Sequence, residues 1–373
     1  MLLKRLKVLG SKFLITPLVC LMLIVALLEL SLPLLHGRYA RYFRLSITPA
    51  SVTMDDARRF FSSGNFDPAL GRDRQPTARN YVATKPYIAQ SYGDSFVFGD
   101  EVGTEETWQA HFERLTGEAI LNLGVGAYGL DQAVLKFEKY GRHYPTRIAL
   151  LGLFDQMFRR ALSYHSLYYL GENFTFVFKP MFVKRDGRFE LIRPPCADAA
   201  CFMEVWSNPN HEVWQWLTRY DYWYQIEKGK PVPGFPHAIK YLRVLPEILR
   251  VRLGQPDSFF VNAAARDVIE YLIMRFVNDS RDMGMTPVCM LLYSSSELQG
   301  IKTGVRHDDE LLKFLAARSI LYVDTAPYIL DRYRHGDGFQ GLRAPQGHMN
   351  SRGNLMVAEA LAQGLASMGL LGY

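Results

Sequence analysis

Cysteine is scarce in this chain, with 4 in 373 residues. Cys20 and Cys289 lie in apolar stretches, where a thiol is usually inert. No group of cysteine and histidine residues has the spacing of metal ligands, which argues against a zinc site, and we expect no metal or other cofactor. The remaining two, Cys196 and Cys201, are the one closely spaced pair. They predict a disulfide, a bond that persists in oxidising compartments such as the bacterial periplasm.

The bulk of the chain also lacks net charge. Residues 1–44 hold seven Lys or Arg and one Glu, a net of +6, and the whole chain is +6, so residues 45–373 sum to zero. A nucleic-acid-binding domain would carry a basic field of its own. We therefore expect no nucleic-acid partner, and no nucleotide-binding motif, internal repeat or low-complexity tract is present.

Long apolar runs are absent except at the N-terminus, where residues 13–35 are almost continuously apolar. A bilayer-spanning helix needs roughly 20 such residues. No small-residue cleavage site follows the run, so an uncleaved anchor is favoured over a signal peptide. The basic flanks on both sides give a slight preference for a cytoplasmic N-terminus. We predict a single-pass protein of the bacterial inner membrane, with residues 1–44 as cytoplasmic tail and anchor and the remainder periplasmic or otherwise extracytoplasmic.

The remainder alternates between strand and helix patterns. Short apolar runs predict five strands, and periodic stripes between them predict helices that cover both faces of a parallel sheet. The predicted strands lie at 87–92, 119–123, 147–154, 288–293 and 320–324, with helices from Thr104 to Gly117, over 130–141 and 268–277, and from Leu355 to Met368. We expect residues 45–86 to form a lead-in. Residues 87–373 should form one α/β domain, which is interrupted by an insertion at 161–256.

The insertion predicts a hairpin across Asp186-Gly187, a strong turn dipeptide. It is also rich in aromatic residues, which include Trp206, Trp214 and Trp223. Aromatic side chains can stack on sugar rings, but such a cluster is more often core or interface. Both interpretations stay open at this point.

Polar residues follow several of the predicted strands, where open α/β sheets bind ligands. Ser95 stands in Tyr-Gly-Asp-Ser-Phe directly after the first strand, and a Gly-rich loop containing Gly126 and Ala127 follows the second. Gln156 comes just after the third strand, and His348 lies in a polar loop before the last helix. A serine hydroxyl needs a neighbouring base to act as a nucleophile, and histidine suits that task.

This order of short blocks resembles the SGNH (GDSL-like) hydrolases, most of all their membrane-anchored bacterial members associated with surface polysaccharide. The resemblance covers four blocks within residues 87–360. It implies a three-layer α/β/α sandwich with a flavodoxin-like sheet. It also implies that Ser95 is the nucleophile and His348 the base, with an oxyanion hole formed by the N–H of Ser95, an N–H of the Gly126-Ala127 turn and the amide of Gln156.

Two positions depart from the family pattern. Gln156 stands where the family has Asn, and Gln346 and Pro345 stand where the family often has the Asp that orients the histidine. Orientation of the imidazole would then fall to a backbone carbonyl, a water molecule or a distant acid, for which Asp337 is a candidate. The sequence predicts an esterase that removes O-acyl groups, most readily O-acetyl, from a surface glycan. An O-acetyltransferase with the same site, or a non-catalytic glycan-binding or assembly protein on a degenerate hydrolase fold, are the alternatives.

Overall fold

The computed structural model describes Leu27 and residues 52–73, 78–170, 174–228 and 263–371. Contacts divide the chain into two units, and nearly all described residues belong to the unit formed by Pro49–Glu227 and Asp257–Tyr373. The predicted anchor over 13–35 lies outside the described residues apart from Leu27. Within the described ranges, no helix combines the length and the apolar character needed to cross a membrane.

A parallel sheet of five strands forms the centre of this unit. The strands are β1 (Ala89–Tyr92), β2 (Ile120–Asn122), β3 (Ile148–Leu153), β6 (Thr286–Leu291) and β7 (Leu321–Asp324), and the antiparallel hairpin of β4 (Met181–Arg185) and β5 (Arg188–Ile192) lies outside the sheet. The strand order is β2-β1-β3-β6-β7, and all four pairings are parallel, from Ala89 opposite Ile120 at one side to Leu291 opposite Asp324 at the other. The predicted α/β fold with five parallel strands is confirmed.

Helices cover both faces of the sheet. The α-helices of the described ranges are α1 (Met54–Phe61), α2 (Ser95–Phe98), α3 (Trp108–Thr116), α4 (Leu130–Tyr140), α5 (Asp155–Arg160), α6 (Leu167–Leu170), α7 (Ala199–Ser207), α8 (Glu212–Tyr220), α9 (Tyr222–Lys228), α10 (Ala263–Asp282), α11 (Ser295–Lys302), α12 (Asp309–Ala317), α13 (Thr325–Arg332) and α14 (Ser351–Ser367). Short 3-10 turns lie at Thr104–Glu106, Gly141–His143 and Gln340–Leu342.

Alternate residues of β1 show that these helices form two layers. The Tyr92 ring packs on Phe137 of α4 at 5.2 Å. Its neighbour Ser91 points the other way and accepts a hydrogen bond from Gln109 of α3. On the first face α4 packs with α10, and on the second α3 packs with α14. Because both faces are covered, β1, β2 and β3 are buried along their whole length, as expected for an all-parallel sheet, whereas the edge strand β7 is partly exposed.

The helix predicted over 268–277 is longer and spans Ala263–Asp282. Two other predicted helix starts were wrong, and capping explains both. The segment after Thr104 is a 3-10 turn, and α3 begins at Trp108 because Thr107 accepts the N–H of Ala110. The last helix begins at Ser351 and not near Leu355, because Asn350 accepts the N–H of Gly353. A side chain that satisfies a free backbone N–H fixes where a helix starts.

The described part of the insertion forms a small second core together with helix α1 of the lead-in, whose Ala57 is buried in it. The hairpin turns at Asp186-Gly187, as predicted from the sequence. Trp206 stacks on Phe202 at 5.5 Å and also contacts Trp214, so these aromatic residues contribute to a core. A buried ion pair between Lys179 and Asp131 of α4 ties the insertion to the sheet unit. Cys196 and Cys201 are joined in a disulfide, with 5.4 Å between their Cα atoms.

Close packing at two glycines brings the short helix α2 against the sheet. An ideal Cβ on Gly152 of β3 would lie 2.2 Å from Cγ2 of Val97, and one on Gly124 would lie 2.5 Å from the backbone N of Phe98. Neither approach leaves room for a side chain. The ends of β2 and β3 therefore hold α2 on both sides.

We expect Gly124→Ala to lower the free energy of unfolding by about 1–3 kcal/mol, the usual cost of overpacking. The added methyl group meets backbone atoms of α2, so relief requires the 123–127 loop and α2 to separate. Urea unfolding measures the change. Gly336→Ala is the matched control, since a Cβ there has nothing within 4 Å. Equal stability of the two variants would contradict the close contact.

Candidate active site

Ser95 lies at the carboxyl end of β1, at the first position of α2. Asp94 caps this helix, because its Oδ1 accepts the N–H of Phe96 at 3.0 Å. Ser95 is almost completely buried, with 4% of its surface exposed. Within the described residues neither its hydroxyl nor its backbone N–H has a hydrogen-bond partner. Both groups are therefore available to a ligand at this edge of the sheet.

The Gly-rich loop after β2 continues alongside the turn that carries Ser95. The N–H of Leu123 donates to Ser91, and that of Val125 donates to Gly93 at 3.0 Å. This pairing ends at Gly126. The next residue, Ala127, has a φ of 68°, a left-handed conformation that is uncommon for a residue with a Cβ. Among the described residues, the N–H groups of Gly126 and Ala127 find no acceptor, which fits donors reserved for an oxyanion.

Gln156 lies in the first turn of α5, directly after β3. Its side chain is exposed at the sheet edge, and its Oε1 accepts a hydrogen bond of 2.8 Å from Nη2 of Arg160. A guanidinium group only donates, so the oxygen of the amide must face Arg160. The amide NH₂ of Gln156 is left for another acceptor.

His348 contacts the segment that carries Ser95 through its ring, which packs on Phe96 with 5.5 Å between centroids. Its Nδ1 lies 2.6 Å from Oε2 of Glu101. An ionised carboxylate only accepts, so Nδ1 carries the proton and Nε2 is the free lone pair. No described residue hydrogen-bonds Nε2, and the bond to Ser95 is not formed. Catalytic hydrogen bonds are often longer without substrate and tighten when it binds.

Glu101 is fixed by three hydrogen bonds to the histidine loop. Its carboxylate accepts the backbone N–H of Gln346 at 2.5 Å and that of His348 at 3.1 Å, in addition to the imidazole. Burial raises the pKa of Glu101, but these hydrogen bonds outweigh burial and leave the pKa below its ordinary value. Glu101 adopts a left-handed φ of 71°, a strained conformation that turns its side chain towards the loop.

The structure places Asp337 elsewhere, so the proposal that it orients His348 was wrong. Its carboxylate accepts the Tyr333 hydroxyl at 2.7 Å and the backbone N–H groups of Phe339 and Gly341. These bonds hold the turn before the histidine loop. The carboxylate beside Nδ1 of His348 is that of Glu101.

A buried ion pair lies beneath the site. Arg160 donates to Oδ2 of Asp94 at 2.8 Å, and the Asp94 side chain is fully buried. Burial raises the pKa of Asp94, while Arg160 and the N–H of Phe96 act in the opposite direction. Removal of one partner would leave an unpaired charge in the interior, which costs roughly 3–5 kcal/mol.

The candidate site residues predicted from the sequence, apart from Asp337, therefore lie at one edge of the sheet. Ser95 follows β1, Gly126 and Ala127 follow β2, and Gln156 follows β3. His348 reaches the same edge from the other end of the chain. Sequence reasoning missed Glu101 and Arg160. Glu101 is 247 residues from His348, so no local spacing marks it. Arg160 follows Gln156 by four positions in a helix, a spacing that does place two side chains together.

No protein-family model and no curated protein matches the chain. Among solved structures, a member of the lipolytic G-D-S-L family from Veillonella parvula is similar, with 12% identity, a TM-score of 0.38 and coverage of 74% of this chain and 96% of that one. The psychrotrophic esterase EstA from Pseudoalteromonas sp. has 8% identity, a TM-score of 0.35 and coverage of 75% and 97%.

LAE5, an alpha/beta hydrolase enzyme from the metagenome of Lake Arreo, has 10% identity, a TM-score of 0.38 and coverage of 79% and 99%. The structural neighbours thus include G-D-S-L lipolytic proteins and esterases. These likenesses are too distant to assign an activity, since one fold carries many functions. The activity has to be argued from the site.

We expect Glu101→Gln to lower the free energy of unfolding at neutral pH by about 1.5–3 kcal/mol, the usual worth of a hydrogen bond to a charged group. The folded pKa of Glu101 lies below its ordinary value of 4.5. The stabilisation is therefore complete above pH 4.5 and is lost as the pH falls through the folded pKa.

Urea unfolding of both proteins between pH 7 and pH 3 measures this difference. Glu118→Gln, at an exposed position, is the control and should track the wild type throughout. A gap between wild type and Glu101→Gln that stays constant with pH would show that the charge of Glu101 is not responsible.

Proposed function

We propose that this chain is a serine ester hydrolase of the SGNH type, with Ser95 as nucleophile and His348 as general base. The observation that carries the proposal is the Glu101 carboxylate on Nδ1 of His348, with the same ring packed beside the Ser95 segment. This contact fixes the tautomer in which Nε2 can accept the serine proton. A carboxylate in that role also stabilises the imidazolium that forms.

The reaction follows from these positions. Ser95 Oγ attacks the ester carbonyl while His348 Nε2 takes its proton. The N–H groups of Ser95 and of the Gly126-Ala127 turn, with the NH₂ of Gln156, hold the negative oxygen. The C–O bond to the leaving alcohol then breaks, and His348 returns its proton to that alcohol. Water, deprotonated by His348, cleaves the acyl-serine and restores the free hydroxyl.

The proposed substrate is an O-acyl group, most readily O-acetyl, on a cell-surface glycan. Support comes from the resemblance of the sequence blocks to anchored members of the family. Hydrolysis and acyl transfer share the same acyl-serine intermediate, and a sugar hydroxyl in place of water would make the protein an O-acetyltransferase. Free acetate released from an acetylated glycan identifies the hydrolase, whereas acetate recovered on a second glycan identifies the transferase.

We further propose that residues 13–35 anchor the protein in the bacterial inner membrane, with the catalytic unit in the periplasm. The length of the apolar run supports an anchor. The Cys196–Cys201 disulfide supports an oxidising compartment.

Ser95→Ala should abolish labelling by a serine-directed fluorophosphonate, because the acyl-accepting oxygen is lost. His348→Ala should lower the labelling rate nearly as much, and the double variant should be no worse, since a nucleophile and its base act as one unit. Intact-mass spectrometry measures the label. Ser367→Ala, at the end of α14, should label like the wild type. Wild-type protein that neither reacts nor hydrolyses any ester would end the enzymatic proposal.

A reporter fused after Tyr373 tests the proposed topology. Alkaline phosphatase folds only in an oxidising compartment, so a fusion with phosphatase activity is expected. A fusion to a fluorescent protein that fluoresces only in the cytoplasm should be dark. The reverse pattern would place the catalytic unit in the cytoplasm and refute the periplasmic location.

A further inference from the structure

As an oxyanion donor, the side chain of Gln156 has more conformational freedom than the Asn for which it stands. It is exposed at the sheet edge, and its side chain has one more rotatable bond than the Asn for which it stands. A donor displaced by about 1 Å can lose on the order of 10²-fold in rate. A second group is therefore needed to hold the amide in one orientation.

We propose that Arg160 is the positioning residue that directs the NH₂ of Gln156 towards the oxyanion, an inference that rests on the proposed esterase function. Its Nη2 donates to Oε1 of Gln156 at 2.8 Å. Because a guanidinium group has no acceptor, the flipped amide would place NH₂ against N–H and lose this bond. The contact thus selects the orientation in which the donor faces away from Arg160.

Arg160 is itself held in place by burial and by hydrogen bonds to residues around the site. The residue is buried, with 6% of its surface exposed. Its Nη1 donates to Oδ2 of Asp94 at 2.8 Å and to the backbone oxygen of Tyr128 at 3.1 Å. Asp94 precedes the nucleophile, and Tyr128 follows the Gly126-Ala127 turn. One guanidinium therefore ties together the three segments that supply oxyanion donors.

The adjacent residue, Arg159, provides a matched comparison on the same helix. Its Nε binds the Asp155 carboxylate at 2.8 Å, so it too is an ion-paired arginine of α5. It has no hydrogen bond to the Gln156 side chain among those of the described residues. Arg159→Lys therefore replaces one guanidinium of α5 with an ammonium group and leaves the hydrogen bond between Arg160 and Gln156 intact.

A double-mutant cycle on kcat tests the proposal. Gln156→Ala should lower kcat about 10²–10³-fold, as expected for one lost oxyanion donor. Arg160→Lys, which keeps the charge but loses the planar fork, should lower kcat at least tenfold with little change in KM. In the Gln156→Ala background, Arg160→Lys should have almost no further effect. Arg159→Lys should leave kcat unchanged in both backgrounds.

If the losses in kcat from Gln156→Ala and Arg160→Lys multiply in the double variant, the proposal is overturned. Arg160 would then act through Asp94 or through the fold, and not through Gln156. If Arg160→Lys does not fold, NMR of the Gln156 side-chain amide in the wild type tests the same link. An NH₂ group held in one orientation supports positioning by Arg160. An amide that averages between its two flipped orientations overturns it. Wild-type protein without esterase activity overturns the proposed function as well, whereas an active wild type with a multiplicative cycle overturns only this inference.

Discussion

The structure of the site depends on one buried carboxylate, that of Asp94. With one oxygen it caps the helix that begins at Ser95, and with the other it binds Arg160 of α5. Through Arg160 the same carboxylate reaches the loop after β2, at Tyr128. A charged group taken out of water is tolerated only when it is paired and hydrogen-bonded. The need to satisfy Asp94 thus holds the ends of three strands in one arrangement.

Much of the fold follows from patterns that act over short distances. The buried strands β3 and β6 are nearly continuous apolar runs, so residue type alone locates them. The shorter strands are located by their β-prone residues and by the turn residues that follow them. The positions of Ser95, Gly126 and Gln156 follow from the same reasoning, because strands of a parallel sheet end at a common edge. The hairpin at Asp186-Gly187 was equally clear, since few dipeptides adopt a left-handed conformation readily.

The rest required contacts between distant parts of the chain. Glu101 was missed because an acid after a short helix looks like any solvated turn residue, and its partner lies near the other terminus. The carboxylate of Asp337, the acid that the sequence offered, is used by its own turn. Residue type shows which side chains can orient a histidine, and not which hydrogen bonds each of them makes in the fold.

The location of Glu101 has a consequence for the order in which the site is assembled. Ser95 and Glu101 are separated by six positions, whereas His348 lies within the last thirty residues of the chain. During synthesis the ribosome therefore releases the proposed nucleophile and Glu101 together, long before the proposed base has been translated. A nascent chain that ends before His348 holds Ser95 without that base. In the proposed mechanism, activity therefore requires that the segment around His348 is complete and docks on Glu101.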